Sequence, residues 1–154
     1  MKMNSLVMAS RFGVAAIVVL ASASHAASDE GKTSYTSYYT VKSAQTVKLG
    51  EGRSLTSVEF TGLTRNDEGK DMFDNMSALC LGDYFADGGV TEGQGACTEV
   101  DADGDEVFTK FTFSSATKPP AGVHTMIGGT GKYAGISGEA SFTVQYLKPP
   151  AEGM

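Results

Sequence analysis

The 154-residue sequence contains no tryptophan, two histidines and two cysteines, and its 12 basic residues are outnumbered by 18 acidic ones. Two histidines are too few for a histidine-rich metal protein. The net charge of -6 argues against nucleic-acid binding, because phosphate contacts require a basic surface. No apolar run reaches the roughly 20 residues of a membrane-spanning helix. What is present, 41% hydrophobic residues and 19 glycines without a collagen-like period, indicates one globular domain with many turns.

The N-terminus has the pattern of an export signal. Lys2 and Arg11 precede an apolar run at positions 12–21, and small residues follow. We predict cleavage after Ala26, which leaves a single domain at 27–154 in the periplasm or outside the cell. Loss of the leader lowers the net charge from -6 to -8, which disfavours insertion into membranes and binding to nucleic acid. An uncleaved N-terminal anchor is the alternative.

Both cysteines, Cys80 and Cys97, lie in the predicted mature chain. An even number of cysteines in an oxidising compartment predicts a disulfide. The turn-forming residues 87–89 lie between them, so two adjacent antiparallel strands would bring the cysteines together. Closing such a loop stabilises the fold by about 3 kcal/mol. The alternative, two free thiols of which one is catalytic, lacks a CxxC spacing and has only His124 as a partner in the mature chain.

Alternation of apolar and polar residues predicts strands along the rest of the chain, and no stretch shows a helical period. We therefore predict an all-β domain with little helix, either a closed antiparallel barrel or a sandwich. The eight predicted strands span residues 35–42, 46–49, 54–63, 77–85, 91–100, 106–113, 123–127 and 139–147.

A polar, turn-forming segment at positions 64–76 interrupts this pattern, and it contains Met72 and Phe73. We predict a surface excursion whose Met and Phe side chains lie against the body or over its mouth. Loops of this length are often functional, although a solvated connection explains the composition equally well.

Alternate carboxylates at Asp101, Asp103 and Asp105 are weak candidates for calcium ligands. The pattern fails after its first positions, because an EF-hand loop needs glycine where Glu106 stands and glutamate where Thr112 stands. A tight hairpin turn is the favoured interpretation, and no metal is expected.

Residues 129–134 match a dinucleotide-binding pattern loosely, but too few residues follow for the βαβ unit that gives the pattern its meaning. His124 and Met126 could ligate copper, but a metal site needs three or four ligands, so we expect a histidine at the surface or the edge of the core. We therefore expect no cofactor.

Carboxylates within the predicted strands, Glu59 and Glu99 among them, are candidates for chemistry. A carboxylate that points into the domain loses hydration, which raises its pKa and makes it a candidate acid or base. One that points outward is an ordinary solvated residue. The alternation leaves the direction of each side chain open.

The glycine-rich segment at 128–138 resembles the signature of the allene oxide cyclase barrel-like superfamily, which includes plant allene oxide cyclases, dirigent proteins and small exported bacterial proteins of unknown role. Other matching pieces are residues 59–62, Cys80 with Cys97, and residues 101–105. The resemblance implies an eight-stranded antiparallel, calycin-like barrel with an apolar cavity, assembled as a homodimer or homotrimer. It also implies a tight turn before the last strand, with the tyrosine packed against the body, formed by Gly128, Gly129, Gly131, Tyr133 and Gly138.

The fold that this resemblance implies predicts an exported, non-catalytic barrel that binds a small apolar or aromatic ligand. A cyclase or isomerase that acts by confining its substrate is the first alternative. The family's catalytic set has no residue-by-residue match in this chain. A structural envelope protein is the second alternative. The candidate ligand-binding residues are Tyr84, Glu59, Glu99 and Tyr146.

Overall fold

The computed structural model describes residues 31–147, which form one antiparallel sheet whose strands follow chain order. Besides the strands, the described residues contain one 3-10 turn at Gly131–Tyr133. The seven strands are β1 Tyr35–Lys48, β2 Arg53–Asn66, β3 Met76–Asp87, β4 Val90–Val100, β5 Glu106–Ser114, β6 Ala121–Gly129 and β7 Gly138–Thr143.

The all-β antiparallel prediction is confirmed, and the strand count changes from eight to seven. The predicted strands 35–42 and 46–49 form the single strand β1, because a bulge between Val41 and Ser43 carries the pairing past the interruption. The sheet is not closed into a barrel within residues 31–147, where β1 and β7 are its two edges. The predicted leader 1–26 lies outside the described residues.

The hairpin between β3 and β4 brings the two cysteines together. Gly88 and Gly89 form its two-residue turn with φ values of 57° and 86°, which non-glycine residues adopt with strain. Cys80 and Cys97 are directly opposed in the resulting register, with their Cα atoms 4.1 Å apart, and form a disulfide. Disulfides are typical of oxidising compartments outside the cytoplasm.

Strand alternation places aromatic residues and glycines on the same face of the sheet. The rings of Tyr84 and Phe111 lie over glycines of neighbouring strands, because a Cβ at Gly93 would overlap the Tyr84 ring and one at Gly95 would lie 2.5 Å from the Phe111 ring. These rings therefore pack directly against the glycine backbone. The glycines covered in this way are Gly62, Gly82, Gly93, Gly95 and Gly122.

The β2–β3 loop places Phe73 at one end of this face, where its side chain is 2% exposed. The Phe73 ring stacks on Tyr35 of β1, at 4.9 Å between centroids, and on Tyr133 after β6, at 6.2 Å. In a flat sheet β1 and β6 would be roughly 24 Å apart, at about 4.8 Å per strand. The sheet is therefore curled around Phe73 at this end. The prediction that the excursion packs a Phe against the body is confirmed for Phe73, whereas Met72 is 43% exposed.

Side chains at the end of β2 fix the shape of this loop. The Thr64 hydroxyl donates to the carbonyl oxygen of Phe73 at 2.8 Å, and the Asn66 amide donates to that of Met72 at 2.7 Å. The Asn66 oxygen accepts from the backbone N–H groups of Glu68 and Lys70. These bonds explain how a polar segment holds a buried ring in place.

Phe73→Ala tests whether this ring holds the curled end together. We expect it to lower the free energy of unfolding by about 3 kcal/mol, because it leaves a cavity between two aromatic rings. Met72→Ala is the matched control and should cost under about 1 kcal/mol, since that side chain is partly solvated. Urea unfolding followed by tyrosine fluorescence measures both. Equal losses for the two variants would contradict the role of Phe73.

Candidate functional site

A row of aromatic side chains crosses one face of the sheet from β1 to β7. Successive centroids along the row are 4.8–6.4 Å apart, which is the range of favourable ring contacts. We call this set the aromatic row: Tyr39, Phe60, Tyr84, Phe111, His124 and Phe142. The Cys80–Cys97 disulfide lies among these rings. The row is a chain of ring contacts across the sheet, in which successive ring planes are tilted by 32–80°.

Glu99 projects from β4 to the same face, next to the aromatic row. It pairs in register with Ala78 and Val107, neither of which has a polar side chain. The Glu99 side chain is 1% exposed, and neither carboxylate oxygen has a hydrogen-bond partner among residues 31–147. Burial raises the pKa of Glu99 from 4.5 to about 7.

Two tyrosines of β1 lie near this carboxyl group. Tyr39, Gly62 and Ala78 occupy the same register row as Glu99 on successive strands, and the small residues leave room for the Tyr39 ring above them. Burial, and then the Glu99 charge, raises the pKa of Tyr39 and raises that of Tyr35 to about 12. Both phenols therefore remain neutral at physiological pH.

His124 is held neutral within the aromatic row. Its ring lies between Phe111 and Phe142, with centroids 5.7 Å and 4.8 Å away, and its Nδ1 is 3.3 Å from the Thr109 hydroxyl. Burial lowers the pKa of His124 to about 4. Across residues 31–147 no cluster of three or more His, Cys, Asp or Glu side chains could hold a metal ion.

The structure separates the four predicted ligand-binding residues. Tyr84 and Glu99 lie on the aromatic face, and burial raises the pKa of Tyr84 to about 12. Glu59 projects from the opposite face, where Lys42 Nζ lies 2.8 Å from its carboxylate and lowers its pKa. Tyr146 follows β7 and is 76% exposed, although its phenol contributes to the raised pKa of Tyr84.

The opposite face carries a groove of about 960 Å³ that crosses six strands. Its lining mixes the charged residues Glu59, Asp83 and Lys110 with apolar ones, and most of the accessible lining surface is apolar. The groove is open and lacks a concentration of aromatic rings, so it is a weaker candidate for an apolar ligand.

The acidic turn between β4 and β5 is fixed by a lysine. Asp101 Oδ1 accepts hydrogen bonds from the backbone N–H groups of Asp103 and Asp105, as expected for a tight turn. Lys132 Nζ lies 2.6 Å from Asp101 and 3.2 Å from Asp103, and the Lys132 N–H donates to Asp105. This interaction lowers the pKa of Asp101. The Lys132 ammonium group thus pairs with two of the three turn carboxylates, those of Asp101 and Asp103.

The same lysine anchors the glycine-rich turn. At Gly131 the Asp105 carboxylate packs so closely that a Cβ would overlap it, and Gly131 has a φ of 49°. Tyr133 is 3% exposed and packs against Phe73, Met76 and Val107. The segment therefore connects β6 to β7 and is held against the acidic turn by these contacts.

Sequence reasoning missed Tyr35 and Tyr39 as site residues. A usable signal existed, because the two stand four positions apart in a strand with period-two alternation and therefore share a face. The face of the sheet to which the Glu99 side chain points could also be inferred from the sequence. Glu99 stands two positions from Cys97, so a buried disulfide places both on the inward face.

No helix among the described residues has the length and apolar character needed to cross a membrane. No protein-family model, no curated protein and no solved structure matches this chain. The site therefore rests on its own geometry.

The two buried titratable groups make opposite contributions to stability. Because the folded pKa of Glu99 exceeds its ordinary value, its contribution falls as pH rises from about 4.5 to about 7. Because the folded pKa of His124 lies below 6.5, its contribution rises between about pH 4 and pH 6.5. In the wild-type protein the two slopes largely cancel.

Glu99→Gln should reveal the pH dependence of the free energy of unfolding that is due to His124. We expect the free energy of unfolding of the variant to rise from pH 4 to pH 7. At pH 8 it should exceed that of the wild type by roughly 3 kcal/mol, reduced by the cost of burying an amide in place of the carboxyl group. Glu92→Gln, on the exposed face of the same strand, is the control and should follow the wild type. Urea unfolding at pH 4, 5.5, 7 and 8 gives the profiles. Parallel profiles for wild type and Glu99→Gln would refute the assignment.

Proposed function

We propose that this protein is an exported binding protein that holds a small apolar or aromatic molecule against the aromatic row. The observation that carries the proposal is the row itself, which spans the sheet and ends at β1 in Tyr39, 38% exposed. The rings cover glycines of neighbouring strands, and aromatic surfaces of this kind bind apolar molecules by area burial and ring contacts.

Export is part of this proposal and is supported by the disulfide and by the predicted leader. Closure of the sheet into an antiparallel barrel is also proposed. Its support is the curl of the sheet around Phe73, which turns the aromatic row into a concave surface that closure of the β1 and β7 edges would enclose. Membership of the allene oxide cyclase barrel-like superfamily is proposed on the glycine-rich motif and the burial of Tyr133.

Tyr84→Ala and Phe85→Ala form a matched pair for this proposal, because the two neighbours project from opposite faces of β3. We expect the uncharged fluorophore N-phenyl-1-naphthylamine to bind the wild type. Tyr84→Ala should weaken binding about tenfold, since one aromatic contact contributes roughly 1.5 kcal/mol. Phe85→Ala should bind as the wild type does.

Circular dichroism and urea unfolding of both variants establish that they fold. Native mass spectrometry of the freshly secreted protein checks for a retained molecule. Absence of fluorophore binding together with absence of a retained molecule would overturn the proposed function.

A cyclase or isomerase that acts by confining its substrate is the second candidate. The observation in its favour is Glu99, a desolvated carboxyl near the phenols of Tyr35 and Tyr39. Since its pKa is close to neutral, this carboxyl could donate or accept a proton during a rearrangement. Under this candidate, Glu99→Gln abolishes turnover of a substrate while binding of an unreactive analogue is retained.

A structural role in the cell envelope is the third candidate. It is favoured by leucines on the outward face, Leu63, Leu79 and Leu81, which are 46%, 48% and 62% exposed. If copies of the chain associate through this face, the wild type sediments as a dimer or trimer and Leu81→Lys sediments as a monomer. Sedimentation velocity at micromolar concentration distinguishes these outcomes, and a monomeric wild type excludes this candidate.

A further inference from the structure

The carboxylate of Glu99 lacks the partners that a buried charge requires. Its cross-strand neighbours Ala78 and Val107 offer no donor, and both of its oxygens lack a hydrogen bond among residues 31–147. Isolated buried carboxylates are costly, and natural proteins pair them. An unpaired one at an apolar binding surface indicates that a ligand supplies the partner.

The groups that face Glu99 narrow the chemistry of that partner. Tyr35 and Tyr39 of β1 lie close enough for the Glu99 charge to raise the pKa values of their phenols, yet neither is hydrogen-bonded to the carboxylate. The Glu99 carboxylate and the two phenols thus bring side-chain oxygen atoms to the same part of this face. A group with several donors and a positive charge satisfies them together, as an ammonium does.

The surrounding rings suit the same cation. The faces of tyrosine and phenylalanine rings attract ammonium groups, and Tyr39 and Phe60 adjoin the carboxylate side of the aromatic row. The chain carries a net charge of -6, which raises the local concentration of cations over that of anions.

We propose that Glu99 binds the ammonium group of an organic amine whose apolar or aromatic body lies on the aromatic row. This inference rests on the proposed binding function and names its ligand class. Because Glu99 is 1% exposed, side chains around it must move for the amine to reach its carboxylate.

Proton and amine compete for the same carboxylate. A carboxyl group with a pKa of about 7 is largely protonated at pH 5.5 and must release its proton to pair with an ammonium. The other titratable groups facing it, Tyr35 and Tyr39, stay neutral over this range because their pKa values are raised. His124 also stays neutral, since its pKa is about 4. Amine affinity should therefore rise about tenfold per pH unit below pH 7 and level off above it.

Three naphthalene derivatives of nearly equal size test the proposal: 1-naphthylmethylamine, 1-naphthalenemethanol and 1-naphthoate. Isothermal titration calorimetry with the disulfide-intact protein at pH 8 should show the amine binding at least about tenfold more tightly than the alcohol. The carboxylate should bind most weakly, because it would face Glu99 with a like charge.

Glu99→Gln should remove the preference for the amine and leave the affinity for the alcohol within about twofold of the wild type. Glu92→Gln, on the same strand but the exposed face, should retain the preference. If Glu99→Gln fails to fold, the pH dependence of amine binding to the wild type decides, with the alcohol as the pH-independent reference.

The outcomes separate the two levels of the proposal. Equal affinity for amine and alcohol in the wild type, or a preference that survives in Glu99→Gln, overturns the amine site and leaves the apolar binding function in place. Failure of all three compounds to bind overturns the binding function as well.

Discussion

Close contact between aromatic rings and glycine backbone is the constraint on which the aromatic face depends. Gly93 and Gly95 of β4 leave space for Tyr84 and Phe111 to lie across the neighbouring strand, where any side chain would collide with the ring. Because the rings reach across neighbouring strands, they pack around the disulfide and form one row of contacts. The glycine content that stands out in the composition thus has two uses, since Gly88 and Gly89 serve a turn.

The ends of the aromatic face are fixed by two different kinds of interaction. At one end, Phe73 joins Tyr35 to Tyr133 and curls the sheet by apolar contact. Beside it, Lys132 ties the acidic turn to the glycine-rich turn by ion pairs with Asp101 and Asp103. The pair with Asp103 is exposed and contributes little stability on its own, whereas the Asp101 side chain is 5% exposed. The buried rings hold this end together, and the lysine sets the geometry of the turns.

Glu99 and His124 show how burial in one apolar surface shifts the pKa of an acid and the pKa of a base in opposite directions. Burial disfavours the charged form of each, so the pKa of the acid rises and the pKa of the base falls. Both groups are consequently close to neutral when unliganded at mildly acidic pH. Glu59 demonstrates the contrast, because on the other face a lysine partner lowers its pKa. Glu59 of β2 is therefore an ordinary surface group, whereas Glu99 of β4 is a candidate anchor for a ligand.

Local pattern determined much of this protein. Period-two alternation located most strands, the glycine pair predicted the β3–β4 hairpin, and that hairpin sets Cys80 opposite Cys97, because all these features depend on residues near in sequence. Tertiary structure alone decided the rest. Alternation shows which residues share a face, but the inward direction depends on packing across strands. For Glu99 the predicted disulfide at Cys97 is an indirect signal, whereas for Glu59 only the packed sheet decides the direction. The burial of Phe73 likewise depends on rings from β1 and from the turn after β6, which only the curl of the sheet brings together.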